Sequence, residues 1–497
     1  MRQYLTEKLR SLRPLLAFHL VLNTIVVLFI TGASYYHVPL EGFKDRAIYF
    51  LHLCALQSTV AGFLYFLSLY RWPFRIVFSA LFLLYCCFSY WAYTQDISFT
   101  PALIQSVFET KPDIAADLIT LPYLLFFLLA AATLGFILRW YSKIEPRQGF
   151  RILVLPALAC VILYFGFEYK QYGIFKFRLP YNVIQAVEDY YDKPRMELLT
   201  DLPPVKRVND SIKVVLVLGE TVRADHLGLN GYERPTTPLL KARGDVISYV
   251  DLFTSNTYTG SSVPQILTDK DLKDSIRPYI SVYSVAEASG YKTAWVGNQT
   301  LEKSYEPIVD TNEELILVDK YKSVLSFDKA LDEVMLEPLD SLLSSSNNAL
   351  VTLHMIGSHW YYENRYTEAF RKWTPVIDSK YIPSLTPEQL LNSYDNTILY
   401  LDSFLDKVIE KLEEEQTPTV MVYISDHGEL LGEEGKWLHA QRHEALMNPA
   451  YLIWFSESYR INFPQRVRMF EERVNESFTT DVFFDDMLEI LNTRILE

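Results

Sequence analysis

Cysteine and basic charge are both scarce in this chain of 497 residues. Its four cysteines form neither a CxxC motif nor a Cys/His zinc framework, and they are too few to make a disulfide scaffold of this length. The 46 basic residues against 60 acidic ones leave a net charge of −14, which argues against a nucleic-acid binder. Half of the residues are hydrophobic and only 21% are charged, which excludes a disordered chain.

The charge divides the chain into two parts. Residues 1–170 contain 14 basic and 9 acidic residues, a net charge of 14 − 9 = +5. The remainder contains 46 − 14 = 32 basic and 60 − 9 = 51 acidic residues, a net charge of −19. The length suits two or three domains, and this asymmetry indicates that the two parts lie in different environments.

The first part contains five apolar stretches without any charged residue, and all four cysteines lie within them. A membrane-spanning helix needs about 20 mostly apolar residues. The fifth stretch is shorter and contains Pro156, but it ends in aromatic residues that can anchor at a membrane interface. We therefore predict a transmembrane domain of five helices over residues 1–170. The stretches are residues 14–40, 47–70, 76–95, 118–138 and 152–167.

The loops between these stretches predict the orientation. Basic residues dominate before the first stretch, between the second and third, and between the fourth and fifth, whereas the alternate loops are mainly acidic. The positive-inside rule then puts the N-terminus in the cytoplasm and everything after the fifth span outside. A cleaved signal peptide would leave four further apolar stretches unexplained. We expect a linker over residues 171–210 with short amphipathic helices at the membrane surface, followed by a catalytic domain over 211–497.

The second part has the pattern of an α/β domain. Short apolar, β-rich runs alternate with helical patterns such as Pro387 to Glu414. This alternation predicts a mainly parallel sheet that is covered on both faces. The predicted strands are Val214 to Leu218, Thr293 to Val296, Ala349 to Leu353, Thr419 to Ile424 and Tyr451 to Phe455.

Metal-binding residue types follow three of these strands. Glu220 comes after the first, His354 and His359 after the third, and Asp426 with His427 after the fourth. Ligands of parallel sheets bind at the carboxyl ends of the strands, so these side chains are expected to converge. Their nitrogen and oxygen donors suit Zn²⁺.

The motifs around these residues resemble the phosphoethanolamine transferases of the alkaline phosphatase/sulfatase superfamily, which modify lipid A or the lipopolysaccharide core. The resemblance covers essentially the whole chain, because family members also have five spans before a periplasmic catalytic domain. It implies a multi-pass protein of the bacterial inner membrane. The matching segments are Gly219–His226, Gly231–Pro238, His354–His359, Asn392–Asn396 with Tyr400 and Asp402, and Ser425–Glu429 with Leu431–Glu433.

The resemblance also implies a ligand set and a nucleophile. The zinc ligands would be Glu220, Thr259, Asp426 and His427. The family has two threonines ahead of a Ser-Val-Pro segment and uses the second as its nucleophile, which selects Thr259 and leaves Thr257 as the alternative. A threonine hydroxyl is a poor nucleophile at neutral pH, and a bound metal activates it by favouring the alkoxide.

Further residues match family positions around the substrate. His359 and His439 would act as general acid or bind a second zinc ion, although His439 could instead have a helix-cap or surface role. Lys303 matches a lysine near the phosphate, with an ordinary solvated lysine as the alternative. His354 is expected among the substrate-binding residues or supporting the site from behind the ligands.

Two departures from the family pattern concern disulfides and the donor headgroup. Ser255 and Gln265 occupy positions that form a disulfide in the lipid A enzymes, so we expect the external domain to fold without disulfides. In the loop after the third span, Thr110 matches a headgroup-binding threonine, whereas Ser106 and Ile114 replace an asparagine and a glutamate. Asp113 or Asp117 could substitute for that glutamate.

The resemblance therefore implies zinc-dependent transfer of phosphoethanolamine from phosphatidylethanolamine, through a covalent threonine intermediate, to lipopolysaccharide. The acceptor stays open between lipid A, the core and a periplasmic glucan, and we expect a monomer. The alternative is a glycerophosphotransferase that uses phosphatidylglycerol with the same metal and nucleophile. A sulfatase would need a Cys or Ser within a CxPxR-type motif, which the segment at Thr259 lacks. A non-catalytic membrane scaffold would not need the ligand set.

Overall fold

A computed structural model describes most of the chain, and it divides into two compact units. One lies within Met1–Asp192, and the other comprises Lys193–Leu325 and Lys329–Glu497. The described residues are 2–38, 40, 42–95, 99, 121–169, 175–191, 196–206, 210–273, 278–318, 329–379, 384–439 and 443–496. The predicted boundaries at residues 170 and 210 stay predictions.

The first unit is helical. Among its described residues, five helices are long and apolar enough to cross a membrane: Leu12–Thr31, Gly42–Ser68, Arg71–Thr94, Leu121–Tyr141 and Phe150–Glu168. They belong to helical elements Arg2–Val26, Val27–Thr31, Ala33–Tyr36, Gly42–Ser68, Arg71–Pro73, Phe74–Phe78, Ser79–Gln95, Leu121–Tyr141 and Phe150–Tyr169, and Tyr181–Tyr191 follows in the predicted linker.

Lipid-facing and interior-facing side chains can be told apart in this unit. Leu128 and Leu155 are 63% and 70% exposed, which suits contact with lipid tails. The amide of Gln57 instead donates to Asn23 Oδ1 at 2.6 Å and accepts from the Thr31 hydroxyl at 3.0 Å. Polar groups inside a bilayer need such partners, so these bonds join the first two spans.

The second unit is built on a mixed, mainly parallel sheet. Within the described residues its seven strands are ordered β2-β10-β7-β1-β6-β4-β5. Strand β10 runs antiparallel to both β7 and β2, and the other neighbours are parallel. The strands are β1 Lys213–Gly219, β2 Ile247–Tyr249, β4 Lys292–Gly297, β5 Glu314–Leu317, β6 Ala349–His354, β7 Thr419–Ser425 and β10 Tyr451–Phe455.

Helices pack around this sheet, and short two-stranded sheets lie beside it. The smaller sheets pair β3 Leu252–Phe253 with β11 Phe478–Thr479, and β8 Leu430–Leu431 with β9 Trp437–Leu438. The α-helices are Pro238–Arg243, Thr259–Ile266, Val282–Ser289, Glu306–Val309, Leu336–Ser344, Pro387–Glu413, Glu457–Asn462, Pro464–Glu472 and Phe483–Ile490.

The predicted fold class is confirmed. The central strands β1, β6 and β7 are buried along their whole length, as their uninterrupted apolar runs require. The helix predicted to end at Glu414 is observed over Pro387–Glu413. It begins with a capping box in which Thr386 and Gln389 bond each other's backbone amides, and Pro387 occupies its first turn.

Candidate metal centre and active site

The register of the central strands brings the predicted ligands to one edge of the sheet. Gly219 of β1 pairs with Ser425 of β7, so Glu220 and Asp426 leave the sheet side by side. One ligand atom each of Glu220, Asp426 and His427 lies within 4.8 Å of the others, and all three residues are buried. The arrangement follows from parallel strands whose carboxyl ends coincide.

Three acceptor atoms face each other in this cluster. Nε2 of His427 lies 3.2 Å from Oδ2 of Asp426 and 3.6 Å from Oε1 of Glu220. The other ring nitrogen of His427 lies 2.7 Å from the Gly428 carbonyl, which fixes the proton there and leaves Nε2 as an acceptor. Neither Nε2 nor the two facing carboxylate oxygens has a hydrogen-bond partner among the described residues.

A cation fits this arrangement. Burial, and then the Asp426 carboxylate, raise the pKa of Glu220 well above its usual value, and burial lowers the pKa of His427. Buried acceptors that face one another without a donor are costly, and a metal ion would satisfy all of them. The remaining oxygen of Asp426 is already occupied, because it accepts from the amides of Thr221 and His427 at 3.1 and 2.8 Å.

Thr259 joins the cluster through its hydroxyl. It is buried and is the first residue of the helix Thr259–Ile266. Its Oγ1 donates to Oε2 of Glu220 at 3.1 Å, and Nε2 of Gln299 donates to the same oxygen at 3.0 Å. Thr257 is partly buried and makes no hydrogen bond to the cluster within the described residues.

Two residues that contact or follow Glu220 have a positive φ angle. Gly357 has a positive φ of 52°, and a β-carbon added there would lie 2.9 Å from the Glu220 carbonyl oxygen. Thr221 has φ 60°, a conformation that a β-branched residue rarely adopts. Such strained positions persist where the surrounding structure holds them, and they concentrate at active sites.

Two histidines border the cluster. The ring of His439 lies 4.7 Å from that of His427 and 5.6 Å from that of His359, between centroids. Burial lowers the pKa of His439, but the adjacent Glu429 carboxylate outweighs it and the resulting pKa is about 9. Burial, with the neighbouring His439 second, lowers the pKa of His359 well below its usual value. These opposite shifts favour the protonated form of His439 and the neutral form of His359.

The orientation of His439 depends on residues that have no role in the sequence-based prediction. Glu429 accepts from Nδ1 of His439 at 3.0 Å and from the Tyr362 hydroxyl at 2.8 Å. Glu429 lies in the segment Ser425–Glu429 that matches the family, so its position there was the signal that could have found it. Gln299 and Glu302 lie outside the segments that match the family.

The other predicted substrate-binding residues are His354, Lys303 and Thr110. His354 ends β6 and packs on the rings of Trp295 and Tyr305, with centroids 5.1 and 5.8 Å away. Neither of its ring nitrogens has a partner among the described residues. Lys303 follows β4. Burial, and then Asp310, raise the pKa of Glu306, and Lys303 acts in the opposite direction. Thr110 lies outside the described residues, together with Ser106, Asp113, Ile114 and Asp117.

Comparison with known proteins agrees with this fold. The sulfatase family model matches residues 213–491, and the model of phosphoethanolamine transferases EptA/EptB matches residues 58–178. EptA of Salmonella typhimurium is 27% identical over 92% of this chain and 89% of its own. Phosphatidylethanolamine transferase Mcr-1 of Escherichia coli is 26% identical over 75% of this chain and 76% of its own. The integral membrane protein EptA of Neisseria meningitidis superposes with a TM-score of 0.55 at 26% identity, covering 97% of this chain and 96% of that one.

The sheet and its buried carboxylate and histidine cluster thus define a member of the sulfatase family. With the N-terminal match as well, the chain belongs to the phosphoethanolamine transferases of the alkaline phosphatase superfamily, which are enzymes. The prediction of an inner-membrane protein with a periplasmic catalytic domain is confirmed by the five apolar helices and by the integral-membrane relative.

Proposed function

We propose that this protein transfers phosphoethanolamine from phosphatidylethanolamine to lipopolysaccharide, using Zn²⁺ and a covalent intermediate on Thr259. The observation that carries the proposal is the hydrogen bond of 3.1 Å from Thr259 to Glu220, inside a cluster of residues that could hold a metal ion. The names of relatives support the acceptor, since one is a lipooligosaccharide phosphoethanolamine transferase and another is a Kdo(2)-lipid A phosphoethanolamine transferase.

Zinc is the metal that suits these donors best. Glu220, Asp426, His427 and Thr259 supply three oxygens and one imidazole nitrogen, a set that matches tetrahedral zinc with a position for the nucleophile. When bound, the ion would favour the alkoxide of Thr259 and neutralise charge on the phosphoryl oxygens. The start of the helix Thr259–Ile266 adds a favourable dipole for that negative charge.

The first half-reaction forms the intermediate. Thr259 Oγ1 bonds to the phosphorus while the bond from phosphorus to the diacylglycerol oxygen breaks. Glu220 Oε2, which accepts the hydrogen bond of the hydroxyl, is the atom positioned to take its proton. His439, whose protonated form the Glu429 carboxylate favours, donates a proton to the departing alkoxide.

The second half-reaction reverses these roles. An acceptor hydroxyl or phosphate on lipopolysaccharide bonds to phosphorus, and a hydroxyl acceptor loses its proton to His439. The bond to Thr259 Oγ1 then breaks, and the threonine regains its proton from Glu220. A membrane-anchored site suits this reaction because donor and acceptor are both lipids, which raises their effective concentration near the enzyme.

The nucleophile can be tested by mass spectrometry of the peptide that contains residues 257 and 259. Thr259→Ala should abolish the phosphoethanolamine adduct, whereas the matched variant Thr257→Ala should keep it. Thr259→Ser should retain some transfer, because the hydroxyl performs the chemistry. An adduct on Thr259→Ala together with its loss in Thr257→Ala would move the nucleophile to residue 257.

Donor and acceptor need separate measurements. Labelled headgroup should transfer from phosphatidylethanolamine, and transfer from phosphatidylglycerol alone would establish the glycerophosphotransferase alternative. Mass spectrometry of lipopolysaccharide from cells with and without the gene should locate the added group on lipid A or on the core. Lipopolysaccharide of unchanged mass would refute this acceptor.

A further inference from the structure

Glu302 lies beside the nucleophile and has no role in the mechanism described above. A β-carbon added at Gly260, the residue after Thr259, would lie 2.5 Å from Oε2 of Glu302. The carboxylate therefore lies so close to the start of the helix Thr259–Ile266 that a side chain larger than that of glycine at position 260 would collide with it. Asp426 and His439 both influence the pKa of Glu302, so its carboxylate borders the catalytic cluster.

An aromatic ring lies against the same glycine. Cε2 of Tyr258 would be 3.5 Å from that added β-carbon, and Tyr258 is 50% exposed. Tyr258 is also the residue that caps the helix of Thr259. A carboxylate and an accessible aromatic ring thus flank the backbone next to the nucleophile.

This pair has the chemistry of a site for an organic ammonium ion. The Glu302 side chain is exposed and therefore open to a ligand, and the nearby Asp426 carboxylate adds negative charge that favours a cation. A phosphate would be repelled by the carboxylate, whereas an ammonium group can bond it and rest on the face of the ring.

We propose that Glu302 and Tyr258 bind the ammonium group of the transferred phosphoethanolamine and thereby select that donor over neutral headgroups. The inference rests on the proposed function, because phosphorus must lie at Thr259. Ethanolamine separates phosphorus from nitrogen by four covalent bonds, so a cation site next to Thr259 suits the headgroup. Glu302 is then a specificity-determining residue that does not take part in bond making or breaking.

The test compares two donors in detergent micelles with the full-length protein. One is phosphatidylethanolamine, and the other is phosphatidyl-n-propanol, in which a methyl group replaces the ammonium group. The measurement is the rate at which each donor forms the adduct on Thr259. The variants are Glu302→Gln and Tyr258→Leu, with Asp310→Asn as a control that removes one negative charge from the same segment.

Glu302→Gln should slow adduct formation from phosphatidylethanolamine by about tenfold to hundredfold, the loss expected for a hydrogen bond to a charged group. It should leave the rate from phosphatidyl-n-propanol unchanged. Tyr258→Leu should reduce the same preference by a smaller factor, and Asp310→Asn should alter neither rate.

Equal slowing of both donors by Glu302→Gln would overturn the proposal, because it would indicate a structural role. An unchanged preference for phosphatidylethanolamine in that variant would overturn it too. A wild-type protein that forms no adduct from phosphatidylethanolamine would instead refute the proposed function, and the two failures are therefore distinct.

Discussion

His354 offers a test of how burial affects stability beneath the active site. The side chain is completely buried, and burial, with Lys329 second, lowers its pKa to about 3. Neither ring nitrogen has a partner among the described residues. We predict that His354→Leu removes the cost of protonating this ring without removing a hydrogen bond.

The direction of the pH effect follows from proton binding. In the unfolded chain a histidine has a pKa near 6.5, so between about pH 3 and 6.5 the unfolded state binds more protons than the folded state. Stability contributed by the neutral ring is therefore fully present above pH 6.5 and is lost as the pH falls. The slope is about 1.4 kcal/mol per pH unit, so roughly 2 kcal/mol present at pH 8 is gone at pH 5.

Thermal unfolding of the full-length protein in detergent, followed by tryptophan fluorescence at pH 8 and pH 5, measures this effect. At pH 8 the variant should lie within about 1.5 kcal/mol of wild type, because leucine has a similar volume and no buried bond is broken. Between pH 8 and pH 5, wild type should lose roughly 2 kcal/mol more unfolding free energy than the variant. Equal losses in both proteins would refute the reasoning. Loss of transfer activity at pH 8 would instead support the substrate-binding role suggested by the family resemblance.

The remaining predictions concern the metal, the general acid and the cysteines. Asp426→Asn should reduce bound zinc and abolish transfer while the protein stays in the membrane. Added zinc should stabilise wild type but not the variant. Full zinc occupancy in the variant would contradict the ligand assignment. Glu429→Gln should move the alkaline limit of activity to lower pH, because the Glu429 carboxylate raises the pKa of His439 to about 9 and activity is lost as that proton dissociates; an unmoved pH–rate profile would exclude His439 as the acid. Reductant should leave the melting temperature of the catalytic domain unchanged, since all four cysteines lie before residue 170, and a clear shift would contradict the predicted spans.

Local patterns were enough to predict the main architecture. Charge-free runs long enough to span a bilayer indicated the five membrane helices, because the lipid interior excludes charged side chains and requires about 20 apolar residues per helix. Strands β1, β4, β6, β7 and β10 were predictable from short apolar, β-rich runs, and the boundaries of the helix Pro387–Glu413 differed from prediction by one residue. The short strands β2 and β5 were not predicted, since they are edge strands of only three and four residues.

By itself, the sequence determined whether each part lies in lipid or in water, the class of fold and the residue types at the strand ends, because those depend on composition and on the local sequence pattern. Tertiary structure decided which of these residues meet. It joined Thr259 to Glu220 and oriented His439 through Glu429, whereas His354 was left packed between Trp295 and Tyr305. It also brought Glu302 against Gly260 across 42 residues of chain. Such contacts depend on strand register and on the close approach of separate loops, and neither is encoded in the spacing of residues along a single segment.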